Sequence, residues 1–86
     1  MTSFASKLLV LQLLPVAPRQ VTAVELHQKI LARGHVMSLR QVQRTLLELE
    51  RLLPIKCNDL GRPYGWCWAM DASAAAEVVG LLSRLI

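Results

Sequence analysis

The sequence predicts a mainly α-helical fold with one small β-hairpin, which belongs to the α+β class. Apolar residues make up 53% of the chain and aromatic residues only 5%, so the core must consist mostly of Leu, Val and Ala side chains. Such a core favours packed helices over a sandwich of sheets. The length of 86 residues suffices for one small core. Helical periodicity recurs along the chain, whereas only residues 54–70 have the composition of a hairpin.

Helix 1 is predicted over about residues 3–14, and a loop at residues 16–21 follows it. Its apolar residues recur at helical spacing and a proline ends it: Phe4, Leu8, Leu11 and Pro15. A basic residue before the apolar run 8–17 also resembles a signal peptide, which would make the chain a secreted protein. Because Gln12 interrupts that run, we favour an amphipathic helix. No run reaches the ~18 apolar residues of a membrane span.

Helix 2 is predicted between a capping box and a glycine. In the sequence Thr22-Ala-Val-Glu25, the threonine hydroxyl can accept a bond from a free backbone amide and the glutamate can reach back to the cap. The helix should continue to about Arg33, where Gly34 supplies the left-handed residue that ends many helices. Four apolar residues are expected to face inward: Val24, Leu26, Ile30 and Leu31.

Helix 3 is predicted over about residues 38–53, after the short connector 35–37 and a second capping box, Ser38-Leu-Arg-Gln41. At about 100° per residue, its apolar residues fall within about 80° of one another: Leu39, Val42, Leu46, Leu49 and Leu53. The opposite side carries Arg40, Arg44, Leu47 and Arg51. These arginines could be a merely solvated face, since Glu48 follows Arg44 at the spacing of a helical ion pair.

A hairpin is predicted over residues 55–69, because Asp, Gly and Pro crowd its middle and β-forming residues lie on both sides. Trp66 and Trp68 alternate with Cys67, so both rings should lie on one side and cover the end of the helical core rather than stack on bases. The cysteines at 57 and 67 are expected as reduced thiols. In a hairpin, however, Cys57 and Cys67 could face each other and form a disulfide on oxidation.

Asp71 is expected to cap a last helix over residues 72–86. Ten of these residues are Ala, Val, Leu or Ile, and a small monomer can bury only one side of such a helix. The excess of apolar side chains predicts a self-association seam and a homodimer. The expected dimerisation residues are Val78, Leu81, Leu82, Leu85 and Ile86.

The order of these elements predicts a winged helix-turn-helix, with a three-helix core and a wing at residues 1–70 and an additional C-terminal helix at 71–86. In that fold helix 3 enters the major groove of DNA. Arginine can bond guanine in bidentate fashion and glutamine can bond adenine, and the net charge of +4 fits a nucleic-acid partner. The predicted DNA-binding residues are Thr22, Ser38, Arg40, Gln41, Gln43, Arg44, Arg51, Lys56, Arg62 and Tyr64.

Residues 8–70 also resemble the N-terminal winged-helix domain of bacterial WYL-domain transcriptional regulators. The shared pattern consists of Thr22, Glu25, Leu26, Gly34, Ser38, Arg40, Val42, Gln43, Arg44, Leu46, Leu49, Pro63, Tyr64, Gly65, Trp66 and Trp68. Gln41 and Thr45 depart from it, where the family usually has Thr and Asp, and both are expected beside the base-reading surface. The resemblance implies a bacterial or phage regulator that binds double-stranded DNA, with repression favoured. It does not imply the effector response of the separate WYL sensing domain.

Two classes of function follow from the sequence. The first is a dimeric, sequence-specific DNA-binding transcriptional regulator. The alternative is a small winged-helix interaction module that binds a host regulator or transcription component through the Leu47 side or the last helix. We expect no enzyme and no cofactor, because the sequence offers no carboxylate pair in an evident cleft, no serine elbow and no glycine-rich phosphate loop. The spacing of His27 and His35 with the cysteines predicts no metal site, and we expect a cytoplasmic location without membrane contact.

Overall fold

The computed structural model describes residues 4–17, 19–58 and 65–85, with Asn58 described by its backbone alone. Within these ranges the chain forms four helices and a two-stranded antiparallel sheet, which confirms the predicted α+β class. None of the described helices has the length and apolar character needed to cross a membrane. The elements are α1 Phe4–Leu13, α2 Ala23–Ala32, α3 Leu39–Leu52, β1 Ile55–Asn58, β2 Gly65–Trp68 and α4 Ala72–Ser83.

The starts of α2 and α3 are fixed by the two predicted capping boxes. The Glu25 amide donates to Thr22 Oγ1 at 3.1 Å, and the Thr22 amide donates to Glu25 Oε1 at 3.2 Å. The same exchange joins Gln41 and Ser38 at 3.1 and 2.9 Å. Each box satisfies two amides that a helix start would otherwise leave without partners. At the other end of α2, Gly34 has φ +80°, the left-handed conformation that glycine adopts without steric cost.

The core lies where α1, α2 and α3 meet, and α3 contributes Val42, Leu46 and Leu49 from one face. Helix α2 contributes Leu26 and Ile30, as predicted. The prediction for the other two residues of α2 is wrong, because Val24 is 51% exposed and Leu31 is 47% exposed. At about 100° per residue, both lie well away from the line through positions 26 and 30. A helix that packs on one side only cannot bury them as well.

The register of the hairpin determines where each cysteine points. Cys57 lies opposite Trp66, and Lys56 lies opposite Cys67. Residues directly opposite in an antiparallel pair share a face, and successive residues alternate between faces. Cys57 and Cys67 therefore point to opposite faces of the hairpin, so the disulfide considered from the sequence is excluded by this register.

Strand β2 is buried along its whole length because the chain before α2 covers its free edge. The Trp66 amide donates to the Val21 carbonyl at 2.8 Å, and the Val21 amide donates to the Trp66 carbonyl at 3.1 Å. Further along, the Trp68 amide donates to the Pro15 carbonyl at 2.9 Å, and its indole Nε1–H donates to the Leu11 carbonyl at 3.3 Å. The segment predicted as a loop thus contacts β2 at two isolated bridges, a parallel one between Val16 and Trp68 and an antiparallel one between Val21 and Trp66. Both tryptophan rings lie in the core, as expected of rings that cover the helices.

Helix α4 begins at the predicted cap, where the Ala74 amide donates to Asp71 Oδ1 at 2.7 Å. It packs against α1 and places Ala75 in the core. Val78 and Leu82 are half-buried against the same core. One side of α4 therefore belongs to the monomer's own packing.

Candidate nucleic-acid interface

The outer side of α3 carries an exposed strip, which we call the arginine face and which consists of Arg40, Arg44, Leu47 and Arg51. All four side chains are exposed, whereas the opposite side of the helix is buried in the core. At about 100° per residue, these four residues and Gln43 span about 100° of the helix circumference. The predicted division of α3 into a buried side and an arginine side is confirmed.

The positive charge of the arginine face is not neutralised by neighbouring carboxylates. The pairing of Glu48 with Arg44 that the sequence allowed is not made, because Glu48 Oε2 lies 3.2 Å from Lys7 Nζ on α1. Among the described residues, no carboxylate lies within salt-bridge distance of Arg40, Arg44 or Arg51. Three guanidinium groups thus face solvent with their hydrogen-bond donors available, which is the requirement for binding phosphate or guanine.

Two polar residues near the start of α3 are already engaged. The Gln41 side-chain oxygen accepts from the Ser38 amide at 2.9 Å, so this side chain is held against the start of the helix and only one lone pair of its oxygen remains for a partner. A bidentate bond to adenine requires both ends of a glutamine amide, and Gln43, which is exposed beside the arginine face, is the better placed of the two glutamines. The Ser38 hydroxyl accepts from the Gln41 amide and keeps its own hydrogen for a phosphate.

Thr45 does not lie beside the arginine face, contrary to the expectation from the family pattern. It is fully buried, and its hydroxyl donates to the Gln41 carbonyl one turn earlier at 2.7 Å. Intrahelical bonding satisfies the polar group and allows it to enter the core. The departure from the family pattern at position 45 therefore concerns packing beneath α3 rather than a direct contact to a base.

His27, which the sequence analysis considered only as a metal ligand, ties α2 to the start of α3. His27 Nε2 donates to the Met37 carbonyl at 2.7 Å, and Met37 itself is buried. Because a carbonyl can only accept, Nε2 must carry the hydrogen. This bond spans the turn between the two helices and orients the arginine face relative to α2. No local pattern signals it, because it joins a side chain to a backbone group ten positions away.

The remaining predicted DNA-binding residues are dispersed. Thr22 is half-buried at the start of α2, where its hydroxyl accepts from the Glu25 amide and can still donate. Lys56 is exposed on β1, on the hairpin face of Cys67. Arg62 and Tyr64, the predicted contacts from the tip of the wing, lie outside the described residues.

Of the predicted dimerisation residues, two are exposed and two pack against the core of the same chain. Leu81 and Leu85 are 57% and 73% exposed, whereas Val78 and Leu82 pack inward. Ile86 lies outside the described residues. Beside α4 is an apolar groove of about 300 Å³, lined by Phe4, Lys7, Leu8, Leu11, Leu49, Leu52, Leu53 and Leu82.

Over the ranges that the structure describes, no three His, Cys, Asp or Glu side chains come together in a group that could hold a metal ion. No protein-family model matches the chain, and the curated proteins and solved structures contain no significant match to it.

Proposed function

We propose that this chain is a sequence-specific, double-stranded DNA-binding protein that acts as a dimeric transcriptional regulator, with repression favoured. One observation carries the proposal: Arg40 and Arg44 are exposed on the first two turns of α3 and have no carboxylate partner within the described ranges of the chain. Arginine is the residue that most often contacts guanine specifically in the major groove. The turn in front of α3 is held by the His27–Met37 bond, so these side chains project from a fixed helix.

The order of the elements supports a winged helix-turn-helix arrangement. Helices α2 and α3 are joined by a short turn, and α3 leads directly into the hairpin, which occupies the position of a wing. The hydrogen bonds of Val21 and Pro15 to β2 attach that hairpin to the helical core. The resemblance to the DNA-binding domain of WYL regulators supports the same assignment.

In this proposal α3 lies in the major groove with its first three turns toward the bases. Arg40, Arg44 and Gln43 contact base edges, while Arg51 and Lys56 contact phosphates. The hydroxyls of Ser38 and Thr22 stand at the starts of α3 and α2, where free amides and the helix dipole also favour a phosphate. Phosphate contacts position the helix and base contacts select the sequence.

The test is a selection from a pool of random duplex DNA, followed by affinity measurements on the selected site. The wild-type protein should enrich a defined sequence that contains guanine. The double variant Arg40→Ala/Arg44→Ala should bind that site at least ~30-fold more weakly, since each bidentate contact to guanine contributes about 1–3 kcal/mol. Both side chains are exposed, so circular dichroism should show an unchanged fold.

The matched control is Arg19→Ala/Arg84→Ala, which removes the same charge from two exposed arginines outside α3. This control should retain the selected sequence and lose only a modest amount of affinity. Equal losses in the two double variants would mean that charge alone binds DNA. Failure of the wild-type protein to enrich any sequence would contradict the proposal.

The alternative function, a module that binds another protein, is favoured by different residues. Leu81 on α4 and Leu85 just beyond its end are exposed, and Leu82 between them lines the apolar groove. Salt distinguishes the two functions, because phosphate contacts make the logarithm of affinity fall steeply with the logarithm of salt concentration, whereas an apolar protein interface is nearly insensitive. A partner captured equally well at low and high salt through Leu81 and Leu85 would support the interaction module.

A further inference from the structure

One residue of the arginine face, Leu47, is uncharged and cannot take part in ionic contacts. Leu47 is 55% exposed, although the core side of α3 is already filled by Val42, Leu46 and Leu49. A single exposed leucine is ordinary on a protein surface. The surroundings of Leu47 are less ordinary, because Arg44 precedes it by one turn and Arg51 follows it by one turn on the same side.

A partner for this surface must combine an apolar spot with acceptors on both sides of it. The major groove of duplex DNA has this combination, since the C5 methyl of thymine is its apolar group and guanine edges and phosphates surround it. The charge also fits, because Arg40, Arg44 and Arg51 have no carboxylate partner among the described residues. A protein partner would instead need an apolar pocket that is surrounded by acidic residues.

The distances along α3 place Leu47 within reach of a base close to the one at Arg44. An α-helix rises 1.5 Å per residue, so Leu47 stands about 4.5 Å beyond Arg44 and about 10.5 Å beyond Arg40. Base pairs are stacked about 3.4 Å apart. Because a helix in the major groove lies at an angle to the DNA axis, these distances are upper limits on the separation along that axis, so Leu47 addresses a base at most about one pair from the base at Arg44 and about three pairs from the base at Arg40.

We propose that Leu47 is a specificity-determining residue that contacts the C5 methyl of a thymine in the major groove, about one base pair from the guanine bound by Arg44. This inference rests on the proposed DNA-binding function and adds a base to its recognition sequence. Arginine contacts alone select guanine. With Leu47 between Arg44 and Arg51, the selected site should contain a thymine beside a guanine.

The experiment replaces each thymine of the selected duplex, one at a time, by deoxyuridine, which lacks only the C5 methyl. At one position the wild-type protein should lose about fourfold in affinity, which corresponds to the burial of one methyl group. Leu47→Ala should bind the thymine duplex more weakly than the wild-type protein and show no further loss with deoxyuridine at that position. If the two changes together cost no more affinity than Leu47→Ala alone, the methyl group and Leu47 act through the same contact.

Leu31→Ala is the matched control, because it makes the same change at a leucine of similar exposure on the outer side of α2. It should keep the fourfold response to deoxyuridine. Three results would overturn the inference: equal wild-type affinity for all substituted duplexes, an undiminished deoxyuridine response in Leu47→Ala, or no DNA binding at all. The first two leave the proposed function standing if the arginine variants still lose binding, whereas the third removes both.

Discussion

His27 is the residue whose contact most directly orients the candidate interface. Its bond to the Met37 carbonyl is partly buried, so His27→Ala leaves an acceptor without its donor. Such a loss costs about 1–3 kcal/mol. We expect urea unfolding to show a decrease of that size in the free energy of unfolding. DNA affinity should also fall, because the turn would no longer hold α3 in one orientation.

The control at this position is His27→Gln, whose side-chain amide can donate from about the place of Nε2. It should recover most of the stability and most of the affinity. If His27→Ala and His27→Gln unfold at the same urea concentration as the wild-type protein, the bond contributes nothing to the turn. If stability falls in His27→Ala without any change in DNA affinity, the bond stabilises the core but does not position α3.

Two glycines allow a prediction about the elements that contain them. A Cβ on Gly65, at the start of β2, would lie 2.8 Å from the Gln20 Cβ, in the segment that covers the strand edge. Gly65→Ala must therefore push that segment away and should destabilise the protein by about 1–3 kcal/mol, as overpacking does.

Gly80 lies inside α4 with nothing within 4 Å of its added Cβ. Gly80→Ala should stabilise the protein by about 1 kcal/mol, the difference between the two residues in a helix.

Thermal unfolding of the two variants measures both effects with the same chemical change. Hydrogen exchange should locate the first one, since Gly65→Ala should speed exchange at the amides of Val21 and Trp66, which bond across the two segments. Equal stability of Gly65→Ala and the wild-type protein would show that the 15–21 segment does not bind β2 tightly.

These elements also show what could be predicted from the sequence. The starts and ends of the helices depend on groups within four positions of each other, so Thr22, Ser38, Gly34 and Asp71 predicted them correctly. The division of α3 into a buried side and an exposed side could be predicted because its apolar residues form a single stripe. Helix α2 has apolar residues on more than one side, so only its tertiary neighbours decide that Val24 faces solvent.

Contacts between distant parts of the chain could not be predicted in the same way. The pairing of Val21 with Trp66 joins a proline-containing segment to a strand 45 positions away, and such a pairing has no local pattern. The hairpin register, which separates Cys57 from Cys67, depends on how β2 packs against the helices. The arginine face was predicted as exposed, but the choice of Lys7 rather than Arg44 as the partner of Glu48 needed the packing of α1 on α3.

At the scale of the whole molecule, the proposed function requires two copies to bind adjacent turns of DNA. The described part of the chain measures 36 × 28 × 22 Å. Two such copies side by side can place their α3 helices about one turn, ~34 Å, apart, as half-sites on one side of a duplex require. In the proposed dimer, Leu81, Leu85 and the apolar groove that Leu82 lines meet their counterparts across a two-fold axis. A two-fold interface uses the same surface from both copies.

We therefore expect Leu81→Ser/Leu85→Ser to convert a dimer into a monomer in sedimentation equilibrium. Full burial of a leucine contributes about 1.5–3 kcal/mol, and the variant removes two leucines from each copy, so the dissociation constant of the dimer should rise at least ~100-fold. Val24→Ser/Leu31→Ser changes two exposed apolar residues of α2 and should leave the dimer intact. A wild-type protein that sediments as a monomer on its selected DNA would contradict the dimer and the role of Leu81 and Leu85 in it.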